Sequence, residues 1–138
     1  MTGKSEEKLF KNVNNEDVRT LLEMIDIDSV KVEIWTKKLY LYDPNDDVPD
    51  IIIELDFENL IIELRNTPVD DDFSKKALTY VAVGNRVKDN DKPMSLIVLS
   101  TAEESKVVNF EFSEGSVFTY RVISLKDRDA DKIIKLLK

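Results

Sequence analysis

The sequence predicts a mixed α/β domain built on a central sheet flanked by helices. Three observations carry this. Two apolar runs, Ile51-Ile52-Ile53 and Leu60-Ile61-Ile62, flank the turn-forming stretch Asp56-Phe57-Glu58-Asn59 and read as a β-hairpin. A helical pattern follows from about Asp71 to Val87. After it comes a nearly continuous apolar run, Met94 to Leu99, as expected of a central strand. With the flanking segments, the order becomes helix, strand, hairpin, helix, strand, hairpin, helix. If the strand carrying Leu64 and the Met94 strand are parallel, the helix between them forms a right-handed crossover.

Each element has its own justification. Residues 1–5 read as a disordered tail, and residues 6–138 as one domain. Glu6 to about Ile25 is helical in pattern, with Leu9, Phe10, Val13, Leu21, Leu22 and Ile25 as the apolar stripe. Asn14 or Asn15 can cap a second helix starting near Glu16. Val30 to Tyr42 alternates, with Val30, Val32 and Ile34 on one face and Lys31, Glu33 and Trp35 on the other. Asp43-Pro44-Asn45-Asp46-Asp47 is a loop by turn chemistry. Pro68 ends the second hairpin strand, and Asp70-Asp71-Asp72 places negative charge at a helix N-terminus, where the macrodipole favours it. The helix buries Phe73, Ala77, Tyr80, Val81 and Gly84, and Lys92-Pro93 breaks the pattern. Val108, Phe110 and Phe112 are predicted to pair with Val122, Tyr120 and Phe118 around a loop containing Gly115. Asp127 to Lys138 forms a terminal helix with Ile133, Ile134 and Leu137 inward.

Composition narrows the chemistry. With 138 residues and 42% hydrophobic content, one sizeable core is expected. The chain has no cysteine and no histidine, which removes disulfides, thiolate or imidazole metal sites and the usual general base. Any metal must be held by oxygen, which favours magnesium, manganese or calcium. No apolar run approaches the ~20 residues of a membrane helix, and Met1 to Lys11 has no signal-peptide core, so the expectation is a cytoplasmic protein without membrane contact. A net charge of -8 argues against a broad nucleic-acid-gripping surface and leaves room only for a local basic groove.

Within the hairpin, Asp50 and Glu63 are acids set in apolar strands, and an unpaired buried carboxylate is expensive. If Phe57 and Glu58 are the central turn residues, Leu55 faces Leu60, Ile53 faces Ile62 and Ile51 faces Leu64. The other face then sets Asp50 across from Arg65, Ile52 across from Glu63 and Glu54 across from Ile61. Asp50 and Glu63 become diagonal neighbours roughly 7–8 Å apart, a separation that one bridging cation and its ligands can span. The competing reading is a structural ion-pair face in which Arg65 neutralises the acids.

Pro49-Asp50 on one strand and Glu63-Leu64-Arg65 on the next, in an αβββαβ order, resemble the PD-(D/E)XK nuclease-like fold of restriction endonucleases. Lys8-Leu9-Phe10-Lys11, Val30-Lys31-Val32-Glu33-Ile34, Asp50-Ile51-Ile52-Ile53, Ile62-Glu63-Leu64-Arg65-Asn66-Thr67 and the helix with Tyr80 are similar to its recombination-promoting nuclease and transposase branch. The resemblance spans roughly Lys8 to Leu99. It implies that Asp50, Glu63 and the main-chain carbonyl of Leu64 bind magnesium (or manganese), and that water activated there attacks a phosphodiester of DNA. Arg65 stands where the superfamily has lysine and this branch often has glutamine. It can hold a phosphate bidentately but cannot transfer protons. The resemblance also implies a completing first-helix acid, Glu16 or Glu23, and Glu54 is either a supplementary ligand or an edge charge.

Lys75 and Lys76 are candidate phosphate contacts or a solvated helix face. Trp35 and Tyr40 are candidate base-stacking groups or core. Asp43, Asp46 and Asp47 lack the glycine and final glutamate of a calcium loop. Two functions follow: a metal-dependent DNA endonuclease or degenerate relative, and a non-catalytic interaction module. The second would bind a protein, or another copy as a homodimer through the edge of the Val108–Val122 hairpin.

Overall fold

The computed structural model describes residues 14–35, 49–126 and 130–136. The expectations for Lys8 to Lys11, for the helical stretch before Asn14, for the strand beyond Trp35 with Tyr40, for Asp43 to Asp47 and for the ends of the terminal helix lie outside the described residues.

Helix α1 (Asn15–Met24) begins at the cap expected of Asn14, whose side chain accepts the Asp17 N–H at 2.8 Å. It ends where Asp26 adopts φ 63, a left-handed conformation that a short acid tolerates. Strands β1 (Glu33–Ile34), β2 (Ile51–Glu54) and β3 (Asn59–Arg65) follow, then helix α2 (Asp71–Val87) and strands β4 (Met94–Ser100), β5 (Lys106–Ser113) and β6 (Ser116–Ser124). Helix α3 (Ala130–Leu136) closes the chain. Asp70 caps α2 by accepting the Phe73 N–H at 2.8 Å.

The six strands form one mixed sheet in the order β1-β2-β3-β4-β6-β5. β3, β4 and β6 run parallel, and β1/β2, β2/β3 and β5/β6 are antiparallel pairs. Helices cover both faces. Val18, Leu21 and Leu22 of α1 and Ile133 of α3 pack with Ile51, Ile53, Leu60, Ile62, Ile97 and Leu99. On the opposite face, Phe73, Ala77 and Tyr80 of α2 pack with Ile52, Ile61, Leu96 and Val98. Because strand side chains alternate faces, β2 and β3 read as continuous apolar runs, each isoleucine stabilising by about 1.5–3 kcal/mol when fully buried. Gly84 lets α2 seat closely, since a Cβ there would lie 2.8 Å from Met94 Cε. Trp35 is buried among the residues facing α2, so it is core and not a base-stacking platform.

Both hairpins differ from the predicted register by two residues. Leu60 faces Ile53, and Ile62 faces Ile51. The cause is the loop: Leu55 to Glu58 connects the strands, closed by the Leu55 N–H donating to the Glu58 carbonyl at 2.8 Å. Asp56 is diverted from turn-making. Its carboxylate accepts the Val30 and Lys31 N–H groups at 2.7 and 2.9 Å, and these bonds, Val30's first, hold its pKa below the ordinary value. In the second hairpin Phe110 faces Phe118 and Val108 faces Tyr120. There Gly115 takes φ 78 in the turn and a bulge lies between Glu111 and Ser113. A two-residue slip preserves which side chains share a face, so the core survives the change.

Of the two readings of Glu54, supplementary ligand or edge charge, the structure matches the second. Glu54 lies at the loop end of β2, roughly 13 Å along the strand from Asp50, and its Oε2 accepts Lys92 Nζ at 2.6 Å and Lys31 Nζ at 2.9 Å. It is a structural ion-pair residue and not a ligand near Asp50. The Lys92 bond, then that of Lys31, outweighs burial and holds its carboxyl at about 2, down from 4.5. A depressed folded value gives stability that is fully present above the unfolded pKa and is lost as pH falls through the folded one. The Glu54→Gln protein is therefore expected to be less stable than wild type at pH 7, by about 1–3 kcal/mol. The difference should shrink as pH drops from about 4.5 toward 2, which urea titrations across that range will read.

Candidate metal centre

β3 and β4 run parallel and end together at Arg65 and Ser100, whereas β2 runs the other way and begins beside that end. The carboxyl end of parallel strands is where α/β sheets commonly place ligands. Continuing the β2/β3 register past Ile51 and Ile62 sets Asp50 level with Glu63, directly across instead of diagonal as predicted. Both lie on the α2 face, as alternation from Ile52 and Ile61 requires.

The two acids are each only 6% exposed and interlock through the backbone. The Asp50 N–H donates to Glu63 Oε1 at 2.8 Å, and the Leu64 N–H donates to Asp50 Oδ2 at 3.2 Å. These bonds aim the carboxylates at one another's strand. Carboxylates held this close form a pair that a divalent cation can bridge. The donor set fits a hard ion: two carboxylates, with the Leu64 carbonyl directed toward the same edge as its N–H. No group of three or more Asp, Glu, His or Cys side chains clusters among the described residues.

That same fact decides the first-helix acids. Glu16 and Glu23 are exposed on α1, which packs against the opposite face of the sheet, and neither is brought to Asp50 and Glu63. The expectation that one of them completes the site is not met.

Arg65 shares the face of Glu63, as predicted, but it lies beyond the acid pair and not across from Asp50. Its Nε donates to the Thr67 carbonyl at 3.3 Å, and Nη2 donates to Thr67 Oγ1 at 2.9 Å and the Pro68 carbonyl at 3.3 Å. The guanidinium sits 4.2 Å from the centroid of the Phe73 ring. It forms no ion pair with Asp50 or Glu63, so the reading in which it neutralises them fails. Its immediate work is to fasten the loop between β3 and α2. Arg65→Ala is expected to lower stability by about 1–2 kcal/mol, and Arg65→Lys to recover little of it, because an ammonium cannot reproduce the planar fork stacked on an aromatic. Urea unfolding of the three proteins checks this.

Three residues near Arg65, namely Glu103, Ser74 and Tyr120, went unrecognised in the sequence as part of its surroundings. Glu103 accepts the Val69 N–H at 2.7 Å and pairs with Lys106. Burial opposes its ionisation, yet the Lys106 and Val69 bonds and the Arg65 charge keep its pKa below the ordinary value. Ser74 and Tyr120 share a 2.7 Å hydrogen bond beneath α2, and burial raises the tyrosine's pKa. Their sequence separation leaves no local pattern to find them by. Lys75 and Lys76 are exposed on the first half of α2, with Lys76 Nζ 5.7 Å from the Tyr80 ring centroid.

The chain matches no protein-family model, no curated protein and no solved structure. Among the described residues, no helix is long and apolar enough to cross a membrane.

Proposed function

We propose that Asp50, Glu63 and the Leu64 carbonyl hold a magnesium or manganese ion, and that the chain is a metal-dependent DNA endonuclease of the restriction-endonuclease-like class. One observation supports the reading: two buried carboxylates, Glu63 on β3 and Asp50 just before β2, each hydrogen-bonded to the other's strand at the carboxyl end of β3 and β4. The strand order β1-β2-β3-β4, with α2 between β3 and β4, supports it, because the resemblance implies an αβββαβ core of this kind. When bound, the ion would polarise a phosphodiester and lower the pKa of a water. Asp50 and Glu63 would hold it, each carboxylate also accepting a backbone N–H bond that orients it. Arg65, pinned by Thr67, Pro68 and Phe73, places a fixed positive charge at that end of the sheet, where a phosphate would approach. Lys75 and Lys76 supply backbone contacts on the flank. A cytoplasmic setting belongs to this reading.

A second reading has its own support. The reciprocal N–H bonds already engage both acids, and Arg65 faces the loop. A rigid pair of that kind suits a non-catalytic module that kept the scaffold. Nicking of supercoiled plasmid, with magnesium and then manganese, separates the two. Metal-dependent nicking that vanishes in Asp50→Ala is the expected result. An inert wild type at high concentration would favour the non-catalytic module, and nicking retained by the variant would place the activity elsewhere.

A further inference from the structure

β5 is the edge strand of the sheet, and the hairpin it forms with β6 exposes Val107, Phe112 and Val117 at 60%, 47% and 56%. A long edge strand carries backbone donors and acceptors that can pair with another strand. Two polar features of the hairpin face away from α2 and bear on what that strand is. Asn109 Oδ1 accepts from Thr119 Oγ1 at 2.8 Å, while its amide NH2 makes no hydrogen bond to a described residue. Asparagine is disfavoured in strand interiors, so its place at the middle of an edge asks for a partner. Arg121, level with Val107, and Glu111, level with Val117, are both exposed, and neither makes a hydrogen bond or ion pair among the described residues.

We infer that β5 pairs antiparallel with the β5 of a second copy of this chain, about a two-fold axis at Asn109. Residues on facing positions must share a face, and this register satisfies that along Val107 to Glu111, stopping short of the bulge. Asn109 meets the partner's Asn109 and the free amide donors find the opposite amide oxygens. Reciprocal amide bonding of that kind already occurs within the chain between Asn59 and Asn90, at 2.9 and 3.0 Å. On the α2 face Val108 meets the partner's Phe110 twice, an aromatic and β-branched pairing that stabilises sheets. On the other face the partner's Glu111 stands across from Val107. Arg121 lies one strand further, roughly 10 Å away between backbones, so the two long side chains close over Val107 and form an ion pair, again twice. The partner is a second copy because its own Glu111 supplies the charge that Arg121 lacks.

Sedimentation equilibrium of the full chain tests this with a charge swap. Wild type is expected to associate reversibly to dimers. Glu111→Arg alone and Arg121→Glu alone should each weaken dimerisation by about tenfold or more, and the double swap should restore it. Asn109→Asp, which sets two carboxylates on the axis, should also dissociate the dimer. Circular dichroism confirms that each variant folds, as expected of exposed positions. A monomeric wild type, single variants that dimerise like wild type, or a folded double variant that stays monomeric would each overturn the proposal.

Discussion

Asp50→Asn is expected to abolish stabilisation by magnesium. A ligand that binds only the folded state stabilises it by RT ln(1 + [L]/Kd), about 2.7 kcal/mol at a hundredfold excess over Kd. For a chain of this size that raises the melting temperature by roughly 10 °C. Asp50 and Glu63 are buried and each is hydrogen-bonded to the other's strand, so an ion bound there gains two anionic ligands at once. The asparagine keeps the shape and the acceptor oxygen for the Leu64 N–H, so the fold should persist. In the absence of metal the wild type should lose that added stability. Melting curves with EDTA and with saturating magnesium read both effects. If the pair were a structural anchor instead, Asp50→Asn would melt well below wild type in EDTA and magnesium would shift neither protein.

The second large effect is expected at the far end of the sheet. Asn59 opens β3, is fully buried, and exchanges two hydrogen bonds with Asn90 while donating to the Lys92 carbonyl at 3.2 Å. Lys92 is in turn the principal partner of Glu54. Removing the amide in Asn59→Ala takes both reciprocal bonds from the Asn90 amide and leaves the Lys92 carbonyl only the Lys88 Nζ donor at 3.0 Å, beside a fully buried strand start. The expected loss is about 2–4 kcal/mol in urea unfolding. Because one network is broken either way, Asn59→Ala and Asn90→Ala together should cost clearly less than their sum. Additive losses would show that the two amides act independently.

These two ends were unequally legible in the sequence. Periodicity and turn chemistry located α1, α2, both hairpins and the Met94 strand, because those signals are local and repeat. Asn14 was recognisable as a cap because capping is a matter of three residues. Register was not legible, since it depends on how a loop closes: Asp56, ordinary turn chemistry by composition, is taken by the Val30 and Lys31 N–H groups far back in the chain. The slip of two residues left Asp50, Glu63 and Arg65 on one face but exchanged their partners. The partners of Glu54 and Arg65 were not legible for a related reason. A charge announces itself in a sequence, but its counter-charge, here Lys92 for Glu54, arrives from another element. Glu16 and Glu23 required knowing which face α1 covers.

The proposed binding of a divalent cation by Asp50 and Glu63 is tested most directly by manganese titration followed by electron paramagnetic resonance. Free manganese gives a sharp signal that is lost on binding. Wild type should remove it with a saturable, defined stoichiometry, and the folded Asp50→Asn/Glu63→Gln double variant should leave the free-ion signal intact. Wild type that binds no manganese, or a double variant that binds it equally well, would contradict the claim.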